Sequence, residues 1–127
     1  MTAVPDPEAL LVAALRAKAE VTALVSMRIG TSLGATFPQI RVTLTGGSDR
    51  LVLNTGRPSL QWEAWGQNEA EAALVARVVD GVVDELAGIY GSGRIVSSWR
   101  QGNYFHSPDA STGRQRYIGQ LGILTQS

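Results

Sequence analysis

The sequence contains no cysteine and a single histidine, and these shortages exclude several classes of site. Without cysteine there is no disulfide, no thiol chemistry and no cysteine-based zinc site. A catalytic histidine needs a well-oriented partner, whereas His106 and its neighbour Asp109 are predicted to lie at a hairpin tip. One histidine with scattered carboxylates also lacks metal-ligand spacing. We therefore expect no catalytic residue, no metal site and no cofactor.

Long apolar segments and a surplus of either charge are also missing. No apolar stretch approaches the roughly 18–20 residues of a membrane span, and the first residues show no basic region followed by an apolar run. The 11 basic and 11 acidic residues cancel, which argues against a dedicated nucleic-acid binder. We expect a protein that is made in the cytoplasm and that stays soluble or joins an assembly.

The charges are unevenly distributed along the chain. Acidic residues dominate positions 69–85, whereas arginines dominate 28–57 and 94–127. An acidic helix beside basic strands could neutralise itself within one chain. It could equally meet the opposite charge on a neighbouring copy, which would favour self-assembly. The sequence leaves both alternatives open.

Local patterns predict the order helix, hairpin, helix, hairpin in one domain over residues 1–127. Asp6 and Pro7 are typical of a helix start, and the segment Val21–Val25 is predicted to extend or kink that helix. Alternating apolar residues predict strands at 39–45 and about 57–65. Asn68 is predicted to cap a helix that reaches Leu86. The acidic residues of this helix are predicted to face solvent, and its apolar stripe consists of Val75, Val79, Val82 and Leu86.

Residues 94–106 and 114–125 are predicted to form the second hairpin, with a turn-rich connection. Gly119 and Gly122 in its last strand indicate either a bulge or a close backbone contact. The expected fold class is α+β, with a mostly antiparallel sheet of four to five strands and two helices packed on one face.

Two features point to contacts with other chains. Trp99 lies beside Arg100 in a polar stretch, and both residue types are enriched at binding hot spots, although partial cover by a loop is an equal alternative. The triplet Leu51-Val52-Leu53 cannot point into one core from a strand, so we hypothesise that it docks on another surface.

The order and spacing of these segments resemble the siphophage tail terminator family, also called tail completion proteins of the lambda minor tail type. The similarity covers roughly residues 8–125. It lies in the helical segments 11–16 and 21–25, in Arg28-Ile29, in the proline-led strand 38–42, in 59–66 leading to the helix 68–86, and in the closing strand 116–124.

The resemblance implies a structural protein whose copies form a hexameric ring at the head-proximal end of the tail tube. The ring would stop tube polymerisation and present a surface for head-tail joining. The implied partners are other copies of the chain, the tail tube protein and a head-side connector protein, with DNA passing through the ring without specific binding. The implied location is the neck region of the virion tail, with no membrane and no enzymatic activity.

The candidate interface segments are the loop 48–55 and the hairpin tip 106–113, because a local sheet leaves them unoccupied, and the candidate interface residues lie in and around them. They are Arg50, Leu51, Val52, Leu53, Trp99, Arg100, His106, Asp109, Arg114 and Arg116. Two alternatives remain open. One is another neck component, such as a head-closure or connector protein. The other is a small enzyme or ligand-binding α+β domain, which would need a pocket of converging polar groups.

Overall fold

A curled, seven-stranded mixed sheet, shaped like half of a barrel, forms the centre of the molecule. The structure is a computed structural model that describes residues 6–52, 55–91 and 93–126, and for residues 48–52 it describes the backbone alone. The strands are β1 (Ile29–Gly30), β2 (Gln39–Val52), β3 (Thr55–Gly66), β4 (Gly88–Tyr90), β5 (Gly93–Arg100), β6 (Phe105–His106) and β7 (Gln115–Gln126). Their order across the sheet is β1-β2-β3-β7-β5-β4, and β6 also pairs with β7.

Three helices accompany the sheet: α1 (Pro7–Arg16), α2 (Ala19–Val25) and α3 (Glu69–Val82). Asp6 caps α1, because its Oδ1 accepts a hydrogen bond from the Glu8 amide at 3.0 Å. The chain breaks at Lys18, whose extended backbone (ψ 111°) starts α2 as a separate helix. The predicted kink is therefore a complete break between two helices.

Helix α3 begins where the sequence predicts. The Asn68 Oδ1 accepts a hydrogen bond from the Glu71 amide at 2.9 Å. In return the Glu71 carboxylate accepts from the amide of Gln67, one residue before the cap, at 2.8 Å. The predicted apolar stripe is buried, although the helix ends at Val82 and Leu86 packs from the segment that follows.

The core lies between the three helices and one face of the sheet. Val42 is paired with Trp62, and Leu60 with Leu121, so these four side chains share that face. Residues from all three helices complete the same cluster, among them Leu11, Leu15, Val21, Val25, Val75 and Val79. Burying such side chains contributes roughly 1.5–3 kcal/mol each, so this layer is the main source of stability.

The expected sheet of four to five strands with two helices is wrong in strand number, in strand direction and in helix number. The unexpected β1 and β4 have two and three residues, which is too short for an alternating pattern to show. Strand β1 runs parallel to β2, with Ile29 paired with Ile40. Arg28 supports this pair, because its Nε donates to the Pro38 carbonyl at 2.8 Å.

The first hairpin is longer than predicted. Strand β2 continues through Gly46 and Gly47, beyond its predicted end at residue 45, with an irregular step between Leu44 and Gly46. Gly47 has a φ of +73°, and a Cβ there would lie 2.6 Å from the Arg57 carbonyl oxygen. Only glycine fits this close approach of two backbones. The paired strands thus extend well beyond the core.

Gly81 offers a simple test of helix stability. It is exposed within α3, and a Cβ placed there meets nothing within 4 Å. Gly81→Ala is expected to raise the free energy of unfolding by about 0.5–1 kcal/mol, because alanine loses less backbone entropy on folding. Urea denaturation with an unchanged slope would measure the gain. A loss of stability would mean that this turn requires glycine.

Candidate assembly interface

The side of the sheet opposite the helices carries polar and aromatic residues. We call it the open face and define it by the side chains of Arg41, Arg57, Glu63, Trp65, Trp99 and Arg116. It arises from strand alternation, because the neighbours of the core residues on β2, β3 and β7 must point away from the core. In the described part of the chain, helix residues join the core cluster on the other side.

A buried carboxylate organises one half of the open face. Glu63 is only 3% exposed. Its Oε1 lies 2.5 Å from the Arg41 Nε and accepts from the Trp65 Nε1 at 3.2 Å. Its Oε2 lies 3.7 Å from an Arg116 amino nitrogen and accepts from the Gln61 Nε2 at 3.2 Å. Two guanidinium groups share one carboxylate, so the cluster keeps one positive charge in excess.

Aromatic rings fix these arginines in place. The guanidinium carbons of Arg41 and Arg116 lie 5.7 Å and 5.0 Å from the Trp65 ring centroid. Phe37 packs near Trp65 with 6.4 Å between ring centroids, and Arg114 lies 3.9 Å above the Phe37 ring. Cations over aromatic faces gain about 0.5–2 kcal/mol each, depending on how far they are desolvated. The arginines are therefore ordered before any partner arrives.

A second stack occupies the other half of the open face. The Arg57 guanidinium lies 5.1 Å from the Trp99 ring centroid. The Trp99 indole covers Gly122 of the adjacent strand, because a Cβ there would lie 2.5 Å from the indole Cε2. The glycine therefore makes room for the ring on the sheet surface. Trp99 remains half-buried and in reach of a partner.

Two of the candidate residues predicted from the sequence lie on the helix side of the sheet. Arg100 contacts α3, where its Nε donates to the Asp80 Oδ1 at 2.8 Å and its amino group donates to the Asp80 carbonyl at 3.0 Å. The His106 ring stacks on Tyr117 with 4.8 Å between centroids. Its Nε2 lies 2.6 Å from the Gln115 Oε1. Both side chains already have partners within their own chain.

Asp109 organises the hairpin tip. Its carboxylate accepts hydrogen bonds from the Thr112 hydroxyl at 2.7 Å and the Ser111 hydroxyl at 3.0 Å. These two hydrogen bonds, the Thr112 bond most strongly, lower the pKa of Asp109 below its usual value. At any pH above the usual pKa of an aspartate, Asp109 is therefore ionised and holds the tip through these hydrogen bonds.

The apolar triplet falls at the limit of the structure. Leu53 lies outside the described residues, and Arg50, Leu51 and Val52 belong to the backbone of β2 without described side chains. Their proposed docking role stays a prediction.

The structure brings together Arg114 and Arg116 at one end of the open face and places Trp99 at the other. The candidate list from the sequence omits Arg41, Arg57, Glu63 and Trp65. Their signal is alternation: Arg41, Glu63 and Trp65 each lie next to a core residue and must face the other way, and Arg57 continues the same alternation along β3. The Arg41–Glu63 pairing additionally requires the register of the hairpin.

Chemical sites are scarce in the described ranges. Over residues 6–52, 55–91 and 93–126, no three His, Asp or Glu side chains are grouped to hold a metal ion. No helix there is long and apolar enough to cross a membrane. A shallow polar groove lies between the start of α3 and the hairpin tip, lined by Gln67, Asn68, Glu69, Thr112, Gly113, Arg114 and Gln115.

Neither a protein-family model nor a curated protein matches the sequence. The fold, however, is similar to that of a chain in a solved structure of the virion of a native gene transfer agent (GTA) particle. The two chains are 15% identical, with a TM-score of 0.68, and the match covers 94% of this chain and 92% of that chain. At this identity the likeness concerns the fold alone, so the chain shares, over nearly its whole length, the fold of a virion component.

Proposed function

We propose that this protein is a non-enzymatic structural component of a phage-like virion and, more specifically, a tail terminator. The observation that carries the proposal is the fold shared with a gene transfer agent virion chain across 94% of this protein. The more specific assignment as a terminator also rests on the resemblance of the element order to that of siphophage tail terminators. On this proposal the protein acts in the neck region of the tail, between the tube and the head-side connector.

The mechanism follows from the physics of a closed ring. Each subunit needs two different patches, and the rotation between copies must close instead of growing into a filament. One side of the ring matches the last ring of the tail tube and the other side does not. Tube growth then stops without a bond being made or broken. The hexamer, the tube contact and the unspecific passage of DNA belong to this proposal.

The candidate residues divide by their contacts. Trp99, Arg114 and Arg116 lie on or beside the open face and are available for partner contacts. The hairpin end at Arg50–Leu53 is our proposed tube-contact segment. Arg100, His106 and Asp109 are held within their own chain, so we assign them the role of shaping the surface around these contacts.

Tube length measures the terminator activity directly. The protein is added to polymerising tail tube protein, and the tubes are examined by electron microscopy. We expect short tubes with additional density at one end, because a capped end no longer accepts tube subunits. The Gly81→Ala variant serves as a matched control, since its exposed helix position leaves all proposed contacts intact. Tubes of unlimited length without end density would contradict the assignment.

A different neck component is the second candidate function. The same observation supports it, because the similar chain belongs to a virion. Similarity of fold alone does not say where in the particle a chain is placed. Binding to isolated portal complexes and no effect on tube length would favour a head-closure or connector protein.

A further inference from the structure

The fold separates the charges of the chain onto two sides. The side of the sheet away from the helices carries Arg41, Arg57, Arg94 and Arg116, with Arg114 at its end, and Glu63 is the one acid among its described side chains. The helices and their ends carry most of the acids, namely Asp6, Glu8, Glu20, Glu69, Glu71, Asp80, Asp84 and Glu85. Fewer cations lie on this side: Arg16, Lys18 and Arg77 in the helical layer, and Arg100, which reaches it from β5.

Within the described residues, these opposite charges neutralise each other only in part. Among the described residues, the one arginine ion pair between a strand and a helix joins Arg100 to Asp80. Asp84 and Glu85 follow α3 and are exposed, as are Arg57 and Arg94 on the other side of the sheet. Neutralisation within one chain, the first of the two alternatives that the charge pattern leaves open, is therefore incomplete.

The zero net charge gives this separation a consequence. Because 11 basic and 11 acidic residues cancel, the positive surplus of the open face equals the negative surplus elsewhere on the same protein. A second copy therefore carries a surplus of the opposite sign outside its own open face. We propose that the open face of one copy binds the acidic end of the helical layer, Asp84 and Glu85, of the next copy. This interface rests on the proposed ring function, and it identifies the two different patches that each subunit of the ring needs.

The open face is prepared for such a contact. Arg57 is stacked on Trp99, and Arg41 and Arg116 are stacked on Trp65 and tied to Glu63. Because these side chains are already ordered, binding immobilises few further rotamers. Arginine and tryptophan are also the residues that most often dominate binding energy at interfaces.

The pairing is head-to-tail, because the two patches differ. A head-to-tail contact leaves one free patch of each kind at the two ends of the growing oligomer, so association continues until a ring closes. A basic face could also attract nucleic acid. The acidic helical layer and the neutral total charge disfavour that occupant, because long-range attraction to phosphates depends on a net positive field.

Charge reversal on each patch tests the proposal. One variant is Arg57→Glu with Arg94→Glu, and the other is Asp84→Lys with Glu85→Lys. All four positions are exposed, and among the described residues none of them forms an ion pair. Each variant alone is expected to self-associate at least about 100-fold more weakly than the wild type, because like charges then face each other. An equimolar mixture is expected to regain association, because the two reversed patches are complementary.

Sedimentation velocity gives the association constants when the full chain is measured over a range of concentrations. The salt concentration is kept near 0.15 M, where exposed charges still interact over about 8 Å. The double variant Lys18→Glu with Arg77→Glu changes the net charge as much as Arg57→Glu with Arg94→Glu, but it lies in the helical layer and should keep wild-type association. Unchanged thermal unfolding confirms that each variant is folded.

The results separate this interface from the proposed function. Wild-type association in both reversal variants, or no rescue in the mixture, overturns the interface. The proposed tube capping is tested separately by the tube-length assay and does not fall with it. A wild-type chain that stays monomeric at all concentrations also overturns it. Fluorescence polarisation with a DNA duplex adds a third arm. Duplex binding that Arg57→Glu with Arg94→Glu abolishes, with self-association unchanged, would assign the open face to nucleic acid instead.

Discussion

Gly119→Ala is expected to lower the free energy of unfolding by about 2–3 kcal/mol, because it overfills the core. Gly119 on β7 is paired with Trp62 of β3. A Cβ at position 119 would overlap the Cζ2 and Cε2 atoms of Trp62 and lie 2.7 Å from its Nε1. Trp62 is 1% exposed, and Tyr104 packs against it with 5.9 Å between ring centroids. The indole therefore has no space into which it can move.

Gly122→Ala is the matched control for this prediction. A Cβ at position 122 would press on Trp99 as closely, at 2.5 Å from the indole Cε2. Trp99, however, lies half-buried on the open face and can turn toward solvent. We expect a loss below about 1 kcal/mol for Gly122→Ala, within the range of surface substitutions that relax. Urea denaturation measures both variants, and equal losses would contradict the view that burial of the ring decides the cost.

Glu63→Ala is expected to lower the free energy of unfolding by about 3 kcal/mol, because removing one partner leaves buried charge uncompensated. The variant leaves Arg41 and Arg116 with no carboxylate, and it removes the acceptor for the Trp65 indole. Arg41 is 31% exposed, so water offsets part of the loss. Glu63→Gln keeps the size and one acceptor oxygen and is expected to cost about 1–2 kcal/mol.

Asp80→Ala provides the comparison on an exposed ion pair. Arg100 and Asp80 have side-chain exposures of 43% and 23%, against 4% for Glu63. Solvent screens this pair, so its loss should cost less than about 1 kcal/mol. Thermal unfolding of both variants under the same conditions makes the comparison. If Asp80→Ala is as destabilising as Glu63→Ala, the buried Glu63 cluster stabilises the fold no more than the exposed ion pair does.

Local chemistry made several elements predictable. The Asp6 and Asn68 caps and the stripe on α3 depend on residues within one or two helical turns, and the structure shows each of them. The first hairpin was also recognisable, because alternation persists over many residues. The short strands β1 and β4 were not, because two or three residues are too few for an alternating pattern to show.

The site was predictable only in part, and one bulge explains the main difference. The register shifts between Ile95 and Ser97 on β5. Without that extra residue, Trp99 would share the core side with Ile95 and Arg100 would face outward, since alternate residues point the same way. With it, Trp99 faces outward and Arg100 reaches Asp80. Gly122 of β7 agrees with this arrangement, because it lies under the outward-facing Trp99 indole. Gly119 lies under Trp62 on the core side, so both glycines make close contacts of the kind that the sequence left as one of two alternatives.

The sequence by itself determined the helix caps, the existence of the first hairpin and the uneven distribution of acids and arginines, because these depend on neighbouring residues along the chain. The tertiary structure alone decided that the two charges face opposite sides of the sheet. Strand register, bulges and the choice of helix-covered face set the direction of every strand side chain, and all three depend on contacts between residues far apart in the sequence.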